Sequence, residues 1–348
     1  MLVFALNLFA QSGRNKPAET PSPSPTPRRT LGSYNPTEKI LAVPNASPTP
    51  RPKTNDDGDI IKIESNLVPI PASILDARGQ MIGALKLQDF LLQIDGKEVE
   101  IGDLSRSETP VRLALLFDNS SSVTIAREFE KKAAVNFFRR VIRPDKDLVA
   151  LFSVATVSRL EQPLTKNVSS LVQAIENFAQ PAGATALFDG IIEAANYLKE
   201  AQGRRVIIIV SDGDDTISDI DNTLEKVLKT LQESNCQVYV VKTTDFENAK
   251  RTGQRTGSAN LRQLAAERRM QEIAGQTGGA VYSPIDETEL DQAFNQISAE
   301  LAQQYILSYY PENEADKRGE FRTISLAVKT RQNLTVRTRK GYYVPRKN

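Results

Sequence analysis

Histidine and tryptophan are absent from this 348-residue chain, and cysteine occurs once, at Cys236. Without an imidazole no Ser-His-Asp triad can form. One thiol allows neither an internal disulfide nor a conventional zinc site. The sequence has no Gly-x-x-x-x-Gly-Lys-Ser/Thr loop, Gly-x-Gly-x-x-Gly fingerprint or Gly-x-Ser-x-Gly elbow. The usual nucleotide-binding and serine-hydrolase chemistries are therefore unsupported. An excess of one charge is also missing, since 44 Lys and Arg against 43 Asp and Glu leave a net charge of +1. Nothing steers such a chain toward nucleic acid or an anionic membrane. The longest apolar stretch at the start, Met1 to Ala10, falls short of the roughly 20 residues that cross a bilayer.

What is present is an ordinary globular composition, 40% hydrophobic and 25% charged, long enough for one or two domains. Met1 to Ala10 fits the hydrophobic part of a secretory signal, without the basic leader, and an exported chain is expected. Residues 11–58 hold ten of the nineteen prolines, including the alternating Pro21 to Pro27 run, and read as an extended, disordered linker. Residues 59–108 read as a β segment. Ile60 to Ile63 and Leu67 to Leu75 look like strands, the prolines placing the second at a sheet edge. Asp95-Gly96 marks a hairpin between Leu91–Ile94 and Glu98–Ile101. Residues 304–345 read as a second β segment that packs with the first, because a few short strands do not make a core alone. Its basic end, with Arg337, Arg339, Lys340, Arg346 and Lys347, is expected to face water. Tyr309-Tyr310 and Tyr342-Tyr343 are expected to pack within this module or along its edge.

Between these flanks, residues 109–303 alternate strand and helix. Strands are expected at Arg112–Asp118, Leu148–Val154, Arg204–Asp212, Gln237–Thr243 and Gly279–Tyr282, with a short antiparallel edge at Thr156–Gln162. Helices are expected at about 125–141, 168–179, 186–200, 221–233, 260–277 and 287–303. Near-continuous apolar runs such as Val206 to Val210 suit parallel strands buried on both faces. The fold class is thus α/β, a doubly wound, mostly parallel sheet, with a small β module formed by the flanks. Cys236, opening one such run, reads as a small buried hydrophobe. Phe246 to Ser258 reads as a polar, basic insertion, either a partner-contacting loop or a solvated one.

One motif stands at the end of the first parallel strand. Asp118, Ser120 and Ser122 present a carboxylate and two hydroxyls at alternate positions directly after Val111 to Phe117. Thr185, and Asp212 at the end of another strand, add two more oxygens. In doubly wound sheets, ligands sit outside the carboxyl ends of the strands. An oxygen-only set suits a hard divalent cation. Magnesium is the expected ion, with manganese or calcium as alternatives. The competing reading makes Asp118, Ser120 and Ser122 a turn or helix cap. Asp214, Asp215 and Asp219 follow closely; Asp219 or Asp221 is expected to cap the next helix, and Asp189 to lie in the first turn of its own.

The order Asp118-x-Ser120-x-Ser122, then Thr185, then Asp212-Gly213, resembles the metal-ion-dependent adhesion site of the von Willebrand factor A family. The flanks, from Ile74 to Lys97 and from Gln304 to Tyr343, resemble the bacterial VWFA-related, acidobacterial-type domain family. The resemblance covers roughly residues 60–345. It implies a Rossmann-like sheet on which Ser120, Ser122 and at times Thr185 touch the metal directly. Asp118 and Asp212 then act through water, and a partner's acidic residue completes the coordination. Ser121 stands where glycine is more usual, at a position that is not a ligand. The function so implied is magnesium-dependent binding of a protein or other extracellular macromolecule, with no catalysis and no membrane span. A metal-independent scaffold and a metal-assisted hydrolase are the competing classes. The hydrolase would need a base such as Asp214 or Asp215 near the metal and a phosphate-clamping Arg or Lys, and no Arg or Lys lies in the metal-binding loops.

Overall fold

In a computed structural model of the full chain, the described residues are 67–106, 109–123, 127–143, 145–253, 260–311, 317–329 and 333–345. The expected signal, linker and Ile60–Ile63 strand lie outside them. The chain builds a β module from its two flanks, and an α/β domain between them.

The α/β domain is ordered around β5 (Val111–Asp118), with β6 (Leu148–Val154), β7 (Ser158–Thr165), β8 (Arg204–Ser211), β9 (Cys236–Lys242) and β10 (Val281–Tyr282). The sheet order is β10-β9-β8-β5-β6-β7, parallel except for β7, which runs antiparallel to β6 as expected. Side chains of β5 alternate between two cores. Leu113, Leu115 and Phe117 pack on α1 (Arg127–Val141) and α7 (Glu287–Gln303), through Phe137, Phe138, Phe294 and Ile297. Ala114 and Leu116 point the other way. There they share a core with α3 (Leu187–Lys199), α4 (Leu224–Glu233) and α6 (Leu261–Thr277), through Leu187, Ile191, Leu231 and Met270. Coverage on both faces is why these strands carry continuous apolar runs. The remaining helices are α2 (Val168–Glu176), capped by Asn167, and α5 (Thr244–Thr252).

Helix α5 corrects the expectation of a loop over Phe246–Ser258. Phe246 is a buried anchor whose ring meets Phe129 at 5.7 Å. One buried aromatic and an acidic first turn, Asp245 and Glu247, hold this helix despite its polar sequence. Residues 254–259 lie outside the described set. Helix α4 is capped by Thr223, whose hydroxyl accepts from Lys226 N at 3.3 Å, so neither Asp219 nor Asp221 caps it.

The β module is built from β1 (Val68–Leu75), β2 (Phe90–Ile94), β3 (Lys97–Val99), β4 (Asp103–Arg106), β11 (Tyr305–Tyr309), β12 (Phe321–Val328), β13 (Thr335–Thr338) and β14 (Gly341–Tyr343). They form two antiparallel sheets, with orders β13-β1-β11-β4 and β14-β12-β2-β3. Strands from both flanks pair in both sheets and enclose one core around Ile70, Ile74, Leu92, Tyr305, Leu307 and Tyr342. The Asp95-Gly96 hairpin forms with both residues at positive φ, 49° and 76°, as a tight two-residue turn between twisted strands requires. β1 is an interior strand, not an edge. Its prolines are tolerated because β13 pairs only with Ala72–Leu75, so Pro69 and Pro71 lie beyond that ladder. The basic end does not simply face water: Arg339 is buried, and Arg337 forms an ion pair at 2.7 Å with buried Glu300. Arg346 and Lys347 fall outside the described residues. Tyr309 and Tyr342 are buried as expected, while Tyr310 is exposed.

Candidate metal centre

The sheet reverses its winding between β5 and β8, since the chain leaves β5 toward β6 and returns on the other side with β8. Asp118 ends β5 and Asp212 follows β8, so the two carboxylates flank the switch point where such sheets bind ligands. A cleft of about 470 Å³ opens there. Ser120, Ser122, Thr185 and Asp212 all line it. Asp118 does not reach its surface; it lies beneath, 1% exposed. The five expected residues are thus brought to one place, four in the wall and one under the floor.

Local hydrogen bonds fix this arrangement. Asp118 Oδ1 accepts from Ser120 N at 2.9 Å, and Asp118 Oδ2 accepts from the Ser211 hydroxyl at 2.6 Å. Ser211 Oγ in turn accepts from Gly213 N at 3.0 Å, tying the ends of β5 and β8 together. Asp212 Oδ1 accepts from Asp214 N at 3.0 Å, an Asx turn that orients the carboxylate. The Thr185 backbone is clasped by Thr216, whose hydroxyl accepts from Thr185 N and whose N donates to Thr185 O, both at 2.8 Å. Gly183, at φ 77°, lets this loop turn beside Thr156.

At Asp118 the electrostatics are those of a buried acid crowded by a second acid. Burial first, and the neighbouring Asp212 carboxylate second, push the Asp118 pKa up to about 6. Glu130, in the first turn of α1, is 1% exposed, and neither carboxylate oxygen has a hydrogen-bond partner among the described residues. Burial, then the charges of Asp118 and Glu247, raise its pKa well above the ordinary value. Thr243 stands beside it and favours the charged form without a well-formed hydrogen bond. No basic residue is paired with Asp118 or Asp212 among the described residues.

This donor set fits a hard cation. Its atoms are carboxylate and hydroxyl oxygens, and a positive charge would relieve the repulsion just described. The Ser120 and Ser122 hydroxyls are 3.0 Å apart. Adjacent ligands on octahedral magnesium stand about 2.9 Å apart, given metal–oxygen distances of about 2.0–2.1 Å. The same separation also serves a hydroxyl–hydroxyl hydrogen bond, so it permits a metal without requiring one. No group of three or more His, Cys, Asp and Glu side chains suited to a metal occurs among the described residues. Any cation here depends on the hydroxyls.

Five contributors escape a reading of the motif alone. Ser211 is hidden inside an apolar strand, and its hydroxyl shows its role only once it bonds Asp118. Glu130 left a signal, an acid on the core-facing side of α1 beside Ala133, Ala134, Phe137 and Phe138. Arg262 comes from α6 to line the cleft, where it pairs with Asp214; Arg269 adds a second contact to Asp214 at 3.7 Å. Asp215 caps α3, accepting from Leu187 N at 2.8 Å and Phe188 N at 3.1 Å. Asp189 lies in the first turn of α3 as expected and accepts from Asn222 Nδ2 at 2.7 Å.

A family model described as von Willebrand factor type A domain matches residues 113–296. No curated protein matches. Among solved structures, the chain is similar to the PilB minor pilin from Streptococcus sanguinis at 14% identity and a TM-score of 0.42, covering 56% of this chain and 62% of the pilin. It is similar to an aerotolerance-related membrane protein from Bacteroides fragilis, bearing multiple mutations to serines, at 20% identity and a TM-score of 0.40, covering 54% and 98%. It is also similar to BatB from Bacteroides thetaiotaomicron at 16% identity and a TM-score of 0.41, covering 55% and 98%. The chain therefore spans less than two thirds of the pilin's length.

Proposed function

We propose, on the premise that this chain belongs to the von Willebrand factor type A domain family, that its carboxyl-edge cleft binds a macromolecular partner through a divalent cation. Domains of this family are interaction modules as a rule, which supports a binding role over a catalytic one. Magnesium is the proposed ion, with manganese or calcium as alternatives. Ser120, Ser122 and Thr185 would offer hydroxyl oxygens, and Asp118 and Asp212 the negative charge. When bound, the cation would supply an open coordination position for a carboxylate oxygen of the partner.

The chain's own residues prepare that contact. Asp118, held by Ser120 N and Ser211 Oγ, fixes the loop that carries both serines. Asp212 faces the cleft with its orientation set by the following turn. Asp215 is committed to capping α3, and Asp214 is paired with Arg262, so neither is placed as an unencumbered general base. That placement is why the proposed role is adhesive and not hydrolytic. The proposed setting is outside the cytoplasm, a reading carried by residues 1–58, which lie outside the described set. No described helix is long and apolar enough to cross a membrane.

The observation that carries the proposal is the convergence of the five side chains at one cleft, with no base paired to Asp118 or Asp212 among the described residues. Calorimetry with magnesium tests it. Wild type should take up one ion per chain, and the Ser120→Ala/Ser122→Ala double variant should bind at least 100-fold more weakly, about 2.7 kcal/mol. No uptake by wild type, or equal uptake by the double variant, would remove the metal-dependent reading and leave a scaffold.

A further inference from the structure

A second cleft, of about 300 Å³, opens at the opposite edge of the sheet, between the amino ends of β8 and β9 and the β module. Pro69, Pro71, Leu231 and Ile306 give it apolar walls. Its charge comes from Arg204, Arg205 and Arg339; no Asp or Glu stands among the described lining residues. The arginines are held by neutral oxygens. Arg205 donates to Ala201 O at 3.0 Å and Ser234 O at 2.8 Å, and Arg204 donates to Leu301 O at 2.8 Å and to Gln304 Oε1.

Arg339 is the most telling of the three. It is 8% exposed, and its guanidinium lies 5.6 Å from the Tyr342 ring centroid. Nη1 donates to Asn235 Oδ1, Nη2 donates to Pro69 O at 2.7 Å, and Nε, itself buried, has no partner among the described residues. Burial lowers its pKa to about 10, so it stays charged at neutral pH. Met only by neutral acceptors among the described residues, this buried cation is left short of a counter-charge. The planar guanidinium fork matches a carboxylate, and apolar walls beside it match a hydrocarbon body. The volume is at the small end of the range for ligand pockets, about 300–1,000 Å³. That suits a medium-length fatty acid and excludes a whole membrane lipid.

We propose that this cleft binds a small monocarboxylate with an apolar chain, its carboxylate meeting Arg339 and Arg205 and its body lying along Pro69, Pro71, Leu231 and Ile306. The site is remote from the metal centre and does not depend on it. It joins the β module to the α/β domain, so its occupant would bridge the two.

Calorimetry of the full chain with decanoate, below its micelle-forming concentration, tests the proposal. One saturable site per chain is expected. Decan-1-ol, with the same body and no charge, should bind at least tenfold more weakly, and decyl phosphate no tighter than decanoate. Arg339→Gln should weaken decanoate at least tenfold. Gln232→Glu, a change at a partly exposed lining residue, should do the same by adding a competing carboxylate without disturbing Arg339. Absence of saturable uptake, equal binding of decan-1-ol, tighter binding of decyl phosphate, or full affinity in Gln232→Glu would each overturn it.

Discussion

At the carboxyl edge of the parallel sheet, Asp118, Asp212 and buried Glu130 face one another among hydroxyls, whereas at the amino edge three arginines meet prolines and leucine. The contrast follows from strand polarity. Parallel strands send every following helix away from the same edge, so helix N-termini gather at one end and C-termini at the other. Acids are favoured at the first kind of end and bases at the second. The acceptors agree: Leu301 O is in the last turn of α7, while Ala201 O and Ser234 O come just after α3 and α4. The same polarity that seats arginines on helix carbonyls at the amino edge leaves the carboxyl edge with acids and no base against two of them.

The sharpest way to break this comparison is to titrate it. Asp118 prefers its neutral form in the fold, with a pKa of about 6 against an ordinary 3.8. Its contribution is therefore full below pH 3.8 and lost as pH rises through 6. Urea unfolding in chelator should show wild type losing up to roughly 3 kcal/mol relative to Asp118→Asn between pH 4 and pH 7. Arginines with pKa values near 10 do not titrate in that window, so the amino edge is silent. A flat difference would mean that the aspartates are not crowded as described.

A second test concerns Glu130, whose buried carboxyl has no hydrogen-bond partner among the described residues. Replacing it by leucine should stabilise the metal-free protein by about 1–3 kcal/mol, the cost of an unsatisfied buried group. Destabilisation by that amount would give Glu130 a structural partner that the acidic edge, as described, does not contain.

The smallest effect is expected at the amino edge. Cys236 is buried, and burial pushes its thiol up to about 12. It should resist a thiol reagent at pH 8 in the native state and react once the chain is unfolded in urea. Rapid native labelling would show that the amino-edge cleft opens far enough to admit the reagent.

Much of this was legible in the residues. Helix α7 occupies the expected 287–303, and β6 the expected 148–154, because apolar periodicity and a clear cap, Asp286, agree there. Of the five expected site positions, Asp118, Ser120 and Ser122 form one short pattern at the end of β5, whereas Asp212 after β8 and Thr185 in the loop before α3 come to the same cleft only through the fold. What was not legible depends on tertiary partners. A proline-bearing strand could be interior because its neighbour on one side stops early. A basic terminal strand could bury Arg339 because the β module folds back onto the α/β domain. Helix α5 was hidden by its polar residues, and its single buried aromatic finds Phe129 only in three dimensions.

The pairing of Arg106 with Tyr305 has a mechanical consequence. The chain enters the α/β domain just after one of these residues and has left it by the other, so its two junctions are neighbours in one ladder. Tension applied at Val68 and Tyr343 would reach the antiparallel β1–β13 ladder at the end where Ala72 faces Thr338, and would peel it from there. The α/β domain hangs off that load path as a side loop, and its cleft would keep its shape while the two flanks are pulled.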